Sequence, residues 1–254
     1  MPYGLRKSLI IERTGEAMYK NYLFDLDGTL LPMNMRVFTD AYLTAFCDRF
    51  VGALGIDART LVRALWTGTG AVLKNDGECL NVEVFWRTMS RCCGKDMRGY
   101  ADSFDDFYRS DFEEIRRFTG FQPRANDLIG QIKQSGAKLI IATNPVFPKS
   151  ATFARIRWAG LDPNDFDYVT VYDNSSACKP NLNYYDEICS ICSIHPEDSV
   201  MIGNDVDEDM VASRLGFDTY LVTDCLLNRS EKDYSVYRNG SFDDMCDYIE
   251  SVLR

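Results

Sequence analysis

Continuous apolar runs alternate with stretches of helical periodicity along most of the chain. Tyr22-Leu23-Phe24, Lys138 to Ala142, Tyr168 to Tyr172, Ser199 to Ile202 and Thr219 to Val222 are short apolar runs that end at polar or Gly-containing segments. Runs of this length and composition predict buried strands. Helices are predicted between them: Ala125 to Ser135 closed by Gly136, Lys149 to Ala159 closed by Gly160, Leu182 to Cys192, and Glu208 to Leu215 closed by Gly216. A last helix starts at Ser241, with Phe242, Met245, Ile249 and Val252 on one face. Five short strands separated by helices predict an α/β fold, a Rossmann-like parallel sheet core with helices on both faces.

Residues 34–120 break this rhythm. Phe38, Tyr42, Ala45, Phe46 and Arg49 recur at helical spacing, and further amphipathic pieces are predicted near 57–66, 81–93 and 100–118. No strand is predicted here. The resulting division is a core of residues 18–32 and 121–254, an inserted all-helical segment over 33–120, and an N-terminal extension over 1–17. The extension is expected to be dispensable for folding, because the strand leading to Asp25 starts just after it.

Composition narrows the function. Hydrophobic residues make up 46% of the chain, enough for a core, and the formal net charge of −10 argues against nucleic-acid binding, which requires a basic footprint. The early run Leu9-Ile10-Ile11 is too short for a signal peptide or membrane span, so a cytoplasmic protein with no membrane association is expected. Nine cysteines are then expected to be reduced and mostly buried. The single histidine, His195, removes most chemistry that needs His as base or ligand, multi-His zinc sites above all, and argues against His-based triads.

Ligands of open α/β sheets bind beyond the carboxyl ends of the strands. Asp25 and Asp27 follow the first strand, Thr143 and Asn144 the second, Lys179 comes shortly after the third, and Gly203-Asn204-Asp205 follows the fourth with Asp209 behind it. The paired carboxylates repel unless a cation neutralises them. This set suits phosphoryl transfer. Asp25 can attack phosphorus and form an acyl phosphate. Asp27 can protonate the leaving oxygen and later activate water. Gly28 permits a sharp turn beside a ligand, and Thr143 and Asn144 offer polar groups to the phosphate. Lys179 places positive charge on phosphate and nucleophile. Asp25, Asp27 and Asp205 offer the hard oxygen ligands that Mg²⁺ requires.

Asp25-Leu-Asp-Gly-Thr-Leu30, Thr143 after an apolar strand, Lys179-Pro180 and Gly203-Asn-Asp-Val-Asp-Glu-Asp209 resemble, in order, the four motifs of the haloacid dehalogenase-like hydrolase superfamily. The resemblance covers about residues 20–225. It implies a Rossmann-like core, Mg²⁺, an aspartyl-phosphate intermediate on Asp25, and a helical cap formed by the insertion between the first two motifs. Many members have Asp directly after the Gly of the fourth motif. Here Asn204 stands there and Asp205 follows, so the metal ligand is expected to be Asp205, with Asn204 as the alternative. Asp209 is then expected to orient Lys179 or metal-bound water. Asp27 favours a phosphatase or phosphomutase over a dehalogenase, because an oxygen leaving group needs an acid.

The leading expectation is a Mg²⁺-dependent phosphohydrolase of a small phosphorylated metabolite. A sugar-phosphate phosphomutase, a phospho-acceptor signalling module and a non-catalytic phosphometabolite binder are the rivals. Receiver-type modules are about half as long and have no helical insertion, and intact Asp25 and Asp27 argue against a mere binder. Cys189-x-x-Cys192-x-x-His195 and Cys92-Cys93 are read as ordinary thiols, since no second ligand pair accompanies them. Phe104, Phe107, Tyr108 and Phe112 are read as core of the helical segment. Arg36, Lys74, Trp86 and Arg87 are substrate-facing candidates that the sequence does not rank. It is silent on oligomeric state.

Overall fold

The computed structural model describes residues 19–253; the expectation for residues 1–17 lies outside the described residues. Six parallel strands form one sheet: β1 (Asn21–Phe24), β2 (Lys138–Ile141), β3 (Tyr168–Val169), β4 (Ser199–Gly203), β5 (Asp218–Val222) and β6 (Arg238–Gly240), in the spatial order β3-β2-β1-β4-β5-β6. The sheet is built outward from β1. In register, Phe24 lies beside Ile141 on one side and Ile202 on the other. All four β1 residues are buried, which is why the strand reads as a continuous apolar run. Chain order reverses on either side of β1, so its carboxyl end opens on a topological switch point.

Between β1 and β2 the chain forms a helical block: α1 (Met35–Leu54), α2 (Ala58–Val72), α3 (Asn81–Cys93) and α4 (Ala101–Arg109), with a 3₁₀ segment over Asp111–Phe118. Asn34 caps α1 by accepting from the backbone N–H groups of Arg36 and Val37, and Asp57 caps α2 through Thr60. Phe38, Tyr42, Phe46, Phe50 and Leu54 recur every fourth residue and form the buried stripe of α1. They meet Phe104, Phe107 and Phe112, with ring centroids 4.5 Å apart for Phe50–Phe104 and 5.6 Å for Phe46–Phe107.

The block enters and leaves the sheet layer through one neck, where the Gly120 N–H donates to the Pro32 carbonyl at 2.6 Å. It also docks on the sheet layer. Asn81 N–H donates to the Ser175 carbonyl and Val82 N–H to the Tyr172 carbonyl, while Phe112 packs on Trp158 at 4.8 Å. The remaining helices are α5 (Ala125–Gln134), α6 (Lys149–Trp158), α7 (Leu182–Cys192) and α8 (Phe242–Val252), the last opened by a reciprocal Ser241–Asp244 capping box.

Several elements differ from the sequence expectation. The sheet has six strands rather than five. The sixth, Arg238–Gly240, is short and polar, and its exposed residues give no apolar signal. The third strand stops at Val169. The Asn174 side chain accepts from Val171 N–H and donates to the Val169 carbonyl, closing a turn where the ladder would continue. The helix expected over 100–118 breaks at Ser110, with φ −128° and ψ −84°. Residues 208–209 are not helical, and Met210–Leu215 is 3₁₀. Here the Asp205 and Asp209 carboxylates take backbone N–H groups, so side chains replace the first helical turn. Arg49 lies outside the α1 stripe and reaches Asp111 at 3.7 Å.

Candidate active site

The carboxyl ends of β1, β2 and β4 bring most of the sequence candidates to one cavity of about 400 Å³, lined by Asp25, Asp27, Thr143, Asn144, Lys179, Asn204, Asp205 and Asp209. At its floor is a buried ion relay. The Lys179 ammonium donates to Asp25 Oδ1 at 2.8 Å and to Asp209 Oδ1 at 2.6 Å. Asp209 Oδ2 accepts from the Asp205 N–H at 2.9 Å. Lys179 is 2% exposed and Asp209 is 0% exposed, so each charge depends on the others for what water would supply. Burial pulls Lys179 down, but Asp209 and Asp25 outweigh it and hold the ammonium well above its usual range. Burial pushes the Asp209 carboxyl up, with Lys179 opposing.

Asp25 and Asp27 lie two residues apart yet have different partners. Asp25 faces Lys179, with the Thr29 hydroxyl 3.4 Å from its second oxygen. Asp27 is ion-paired through Oδ2 to Arg155 of α6. Arg155 is 1% exposed; its guanidinium also donates to the Thr152 hydroxyl and lies 4.4 Å over the Phe147 ring. The other Asp27 oxygen, Oδ1, is buried without a hydrogen-bond partner. Such an atom is satisfied by an ordered water or by a donor on a bound molecule. Burial raises the Asp27 pKa, and Arg155 opposes that rise.

The fourth-motif residues divide the work. Asn204 is fully engaged: its amide oxygen accepts from Thr29 at 3.0 Å and its NH₂ donates to the Cys225 carbonyl at 2.7 Å. It ties the turn after β1 to the loop after β5. Gly28, with φ +92°, lies so close that a Cβ there would come within 2.4 Å of the Asn204 amide. Gly203 is similarly pressed, since a Cβ would meet the Asp209 carboxylate at 2.1 Å. Asn144 also serves as a tie: its oxygen accepts from Lys179 N–H at 3.1 Å and its NH₂ donates to Glu208 at 2.7 Å. Thr143, 3% exposed, lines the cavity, and its carbonyl accepts from the Thr170 and Tyr184 hydroxyls. Asp205 Oδ1 accepts from the N–H groups of Asp207 and Glu208, and Oδ2 pairs with Arg229 at 2.6 Å. Among the described residues, no three His, Cys, Asp or Glu side chains form a group that could hold a metal ion.

Sequence reasoning missed Arg155 and Arg229. Arg155 lies in Ala-Arg-Ile-Arg-Trp, and only burial separates it from the exposed Arg157. Arg229 sits in a loop without periodicity. The four substrate-facing candidates from the helical segment, Arg36, Lys74, Trp86 and Arg87, do not line the cavity; Phe38, Tyr42, Trp66 and Phe85 do. All nine cysteines are free thiols; Cys189 and Cys192 are half-buried, which raises each to about 11. No helix among the described residues is long and apolar enough to cross a membrane.

The chain is similar to known proteins. The family model for haloacid dehalogenase-like hydrolase matches residues 19–215. The chain is 25% identical over 226 residues to a glyceraldehyde 3-phosphate phosphatase of Methanothermobacter thermautotrophicus, covering 88% of this chain and 93% of that protein. Among solved structures it is similar to a HAD phosphatase from Thermococcus onnurineus, with TM-score 0.57, 17% identity, and 91% and 97% of the two chains covered. It is also similar to a HAD-hydrolase from Bacillus subtilis bound to magnesium, with TM-score 0.54, 20% identity, and 91% and 99% covered.

Proposed function

This chain belongs to the haloacid dehalogenase-like hydrolases, and from that premise we propose that it is a Mg²⁺-dependent phosphatase of a small phosphorylated metabolite. The observation that carries the reading is the unlike pairing of the two carboxylates: Asp25 against Lys179 at the cavity floor, Asp27 held by Arg155 with one oxygen unpartnered. A nucleophile and an acid/base need these different environments. The likeness to a glyceraldehyde 3-phosphate phosphatase supports phosphate monoesters as the substrate class.

In this mechanism Asp25 attacks phosphorus while Lys179 neutralises the phosphate oxygens and keeps the carboxylate in place. Asp27 protonates the departing alcohol oxygen. An aspartyl phosphate on Asp25 results, and Asp27 then removes the proton from the water that cleaves it. Thr143 contributes its hydroxyl to the phosphate. Asp209 positions Lys179 from behind.

The donor set fits Mg²⁺. This ion is commonly held by one or two carboxylates, with water and substrate phosphate completing the coordination. Asp25 and Asp205 would supply those carboxylates, and Mg²⁺ would neutralise the phosphate as the nucleophile approaches. Arg229 neutralises Asp205 and also pairs with Glu208. The engaged Asn204 amide fits that role poorly, and the Asp27 side chain is turned to Arg155. The helical block of residues 33–120 is the cap in this reading, joined at the Pro32–Gly120 neck.

Phosphate release from a panel of phosphorylated metabolites with Mg²⁺, repeated with a chelator, tests the reading. Chelation and Asp25→Asn should each stop release. Isomerised product without free phosphate would favour a phosphomutase.

A further inference from the structure

The cavity is chemically two-sided. Its floor carries the charged groups already described. Its wall comes from the helical block: Phe38 and Tyr42 of α1, Leu65 and Trp66 of α2, Phe85 of α3 and Tyr108 of α4. Among the described residues lining it, the cations are Lys179 and Arg229, and both are committed to floor carboxylates. Among the described residues no lysine or arginine lines the helical wall, whose polar side chains besides the tyrosines are Thr39 and Thr69. The hydroxyls of Tyr42 and Tyr108 are bonded to each other at 2.8 Å and buried. Three exposed large apolar side chains, Met35 (40%), Trp66 (50%) and Leu73 (44%), all border this cavity.

A second phosphate, a carboxylate or a polyhydroxylated carbon chain would find few partners on such a wall. Polar groups left unpaired on burial are penalised. An apolar ring would displace water from the aromatic faces. Cavities of about 300–1,000 Å³ with apolar walls and a few fixed polar groups are typical of sites for drug-sized ligands. A volume of about 400 Å³ falls in that range.

We propose that the substrate is a phosphate monoester whose alcohol is apolar and aromatic-sized, with the phosphate on the Asp25–Lys179 floor and the ring against Phe38, Trp66 and Phe85. This rests on the phosphatase reading for turnover but not for binding. The triose phosphate in the relative's name is a small polar ester that would leave the wall unused.

The test compares two primary alkyl esters, 2-phenylethyl phosphate and glycerol 1-phosphate, with Mg²⁺ present. Their unactivated leaving groups keep intrinsic reactivity from deciding the result. We expect kcat/KM to favour the phenylethyl ester by about 100-fold, since each methylene-sized apolar contact in a pocket discriminates by about tenfold or more. Trp66→Ala should shrink that preference about tenfold through KM. Trp66 is half exposed, so its loss leaves the core packing in place.

Binding of 2-phenylethylphosphonate and methylphosphonate, measured calorimetrically, supplies a readout without turnover. Tighter binding of the phenylethyl compound with hydrolysis of neither ester would uphold the pocket assignment and sink the phosphatase reading. Equal binding of the two phosphonates, a preference for glycerol 1-phosphate, or an unchanged preference in Trp66→Ala would overturn the assignment.

Discussion

The floor of the cavity and the ring cluster behind its helical wall are both buried, but they are held by opposite means. The floor is a relay in which Asp25, Lys179 and Asp209 each have few substitutes for the partner they hold. Behind the wall lies a cluster of rings in contact: Phe107 alone meets Tyr42, Phe46, Phe50, Tyr108 and Phe112. Removing one charge strands another in a buried site. Removing one ring leaves the rest in contact. The floor should therefore couple stability to chemistry, whereas the ring cluster should separate them.

The largest effect is expected at Lys179. Lys179→Met leaves Asp25 and Asp209 buried and unpaired. It should cost about 3–5 kcal/mol of stability, as breaking a buried ion pair does, and reduce turnover to background. Urea unfolding and phosphate release measure the two losses. A variant with near-normal stability would show that water already reaches the relay.

Phe107→Ala in the ring cluster behind the wall should cost a similar amount, about 3–5 kcal/mol, through the cavity it leaves. The folded fraction should still hydrolyse substrate with kcat within a few-fold of the parent. A kcat collapse in folded Phe107→Ala would erase the contrast between the two regions.

Arg155 joins them, since it holds Asp27 of the floor and stacks on Phe147. Arg155→Met should lower kcat by about 100-fold for alkyl phosphates through misplacement of the acid, as small displacements at a reacting centre do. The loss should be much smaller for an aryl phosphate, whose leaving group needs little protonation. Burial raises Asp27 and Arg155 opposes it, so removing Arg155 lets Asp27 keep its proton to higher pH. The alkaline limb of the pH–kcat profile should move upward. A downward move would contradict the acid role. Arg155→Lys should recover part of kcat.

How much of this was legible in the sequence follows from the same contrast. The floor was readable because strand ends are marked by apolar runs, and Asp25, Thr143, Lys179 and Asp205 each follow one. The parallel sheet was readable for the same reason. The polar strand Arg238–Gly240 was not, lacking an apolar face. Nor was the replacement of a helical turn by the Asp205 and Asp209 side chains, because those residues also suit a helix start. Arg155 was hidden because burial depends on how α6 packs, and its neighbour Arg157 carries the same charge outside. The wall was legible as apolar periodicity, yet which rings face the cavity depends on docking of the block. Spacing does not encode that.

The smallest effect concerns the thiols outside both regions. Burial lifts Cys189 and Cys192 to about 11, so the reactive thiolate is scarce at neutral pH. Alkylation by iodoacetamide should be slow at pH 7 and accelerate steadily toward pH 11. Fast labelling of either thiol at pH 7, read by mass spectrometry, would mean that the α7 face opens readily.

The central claim is that Asp25 is the nucleophile. Acid quenching of the enzyme during turnover with Mg²⁺, followed by peptide mass spectrometry, tests it most directly. One added phosphoryl group is expected on the peptide carrying Asp25, discharged by hydroxylamine and absent from Asp25→Asn. A phosphoryl group on another residue, or full turnover by Asp25→Asn, would contradict it.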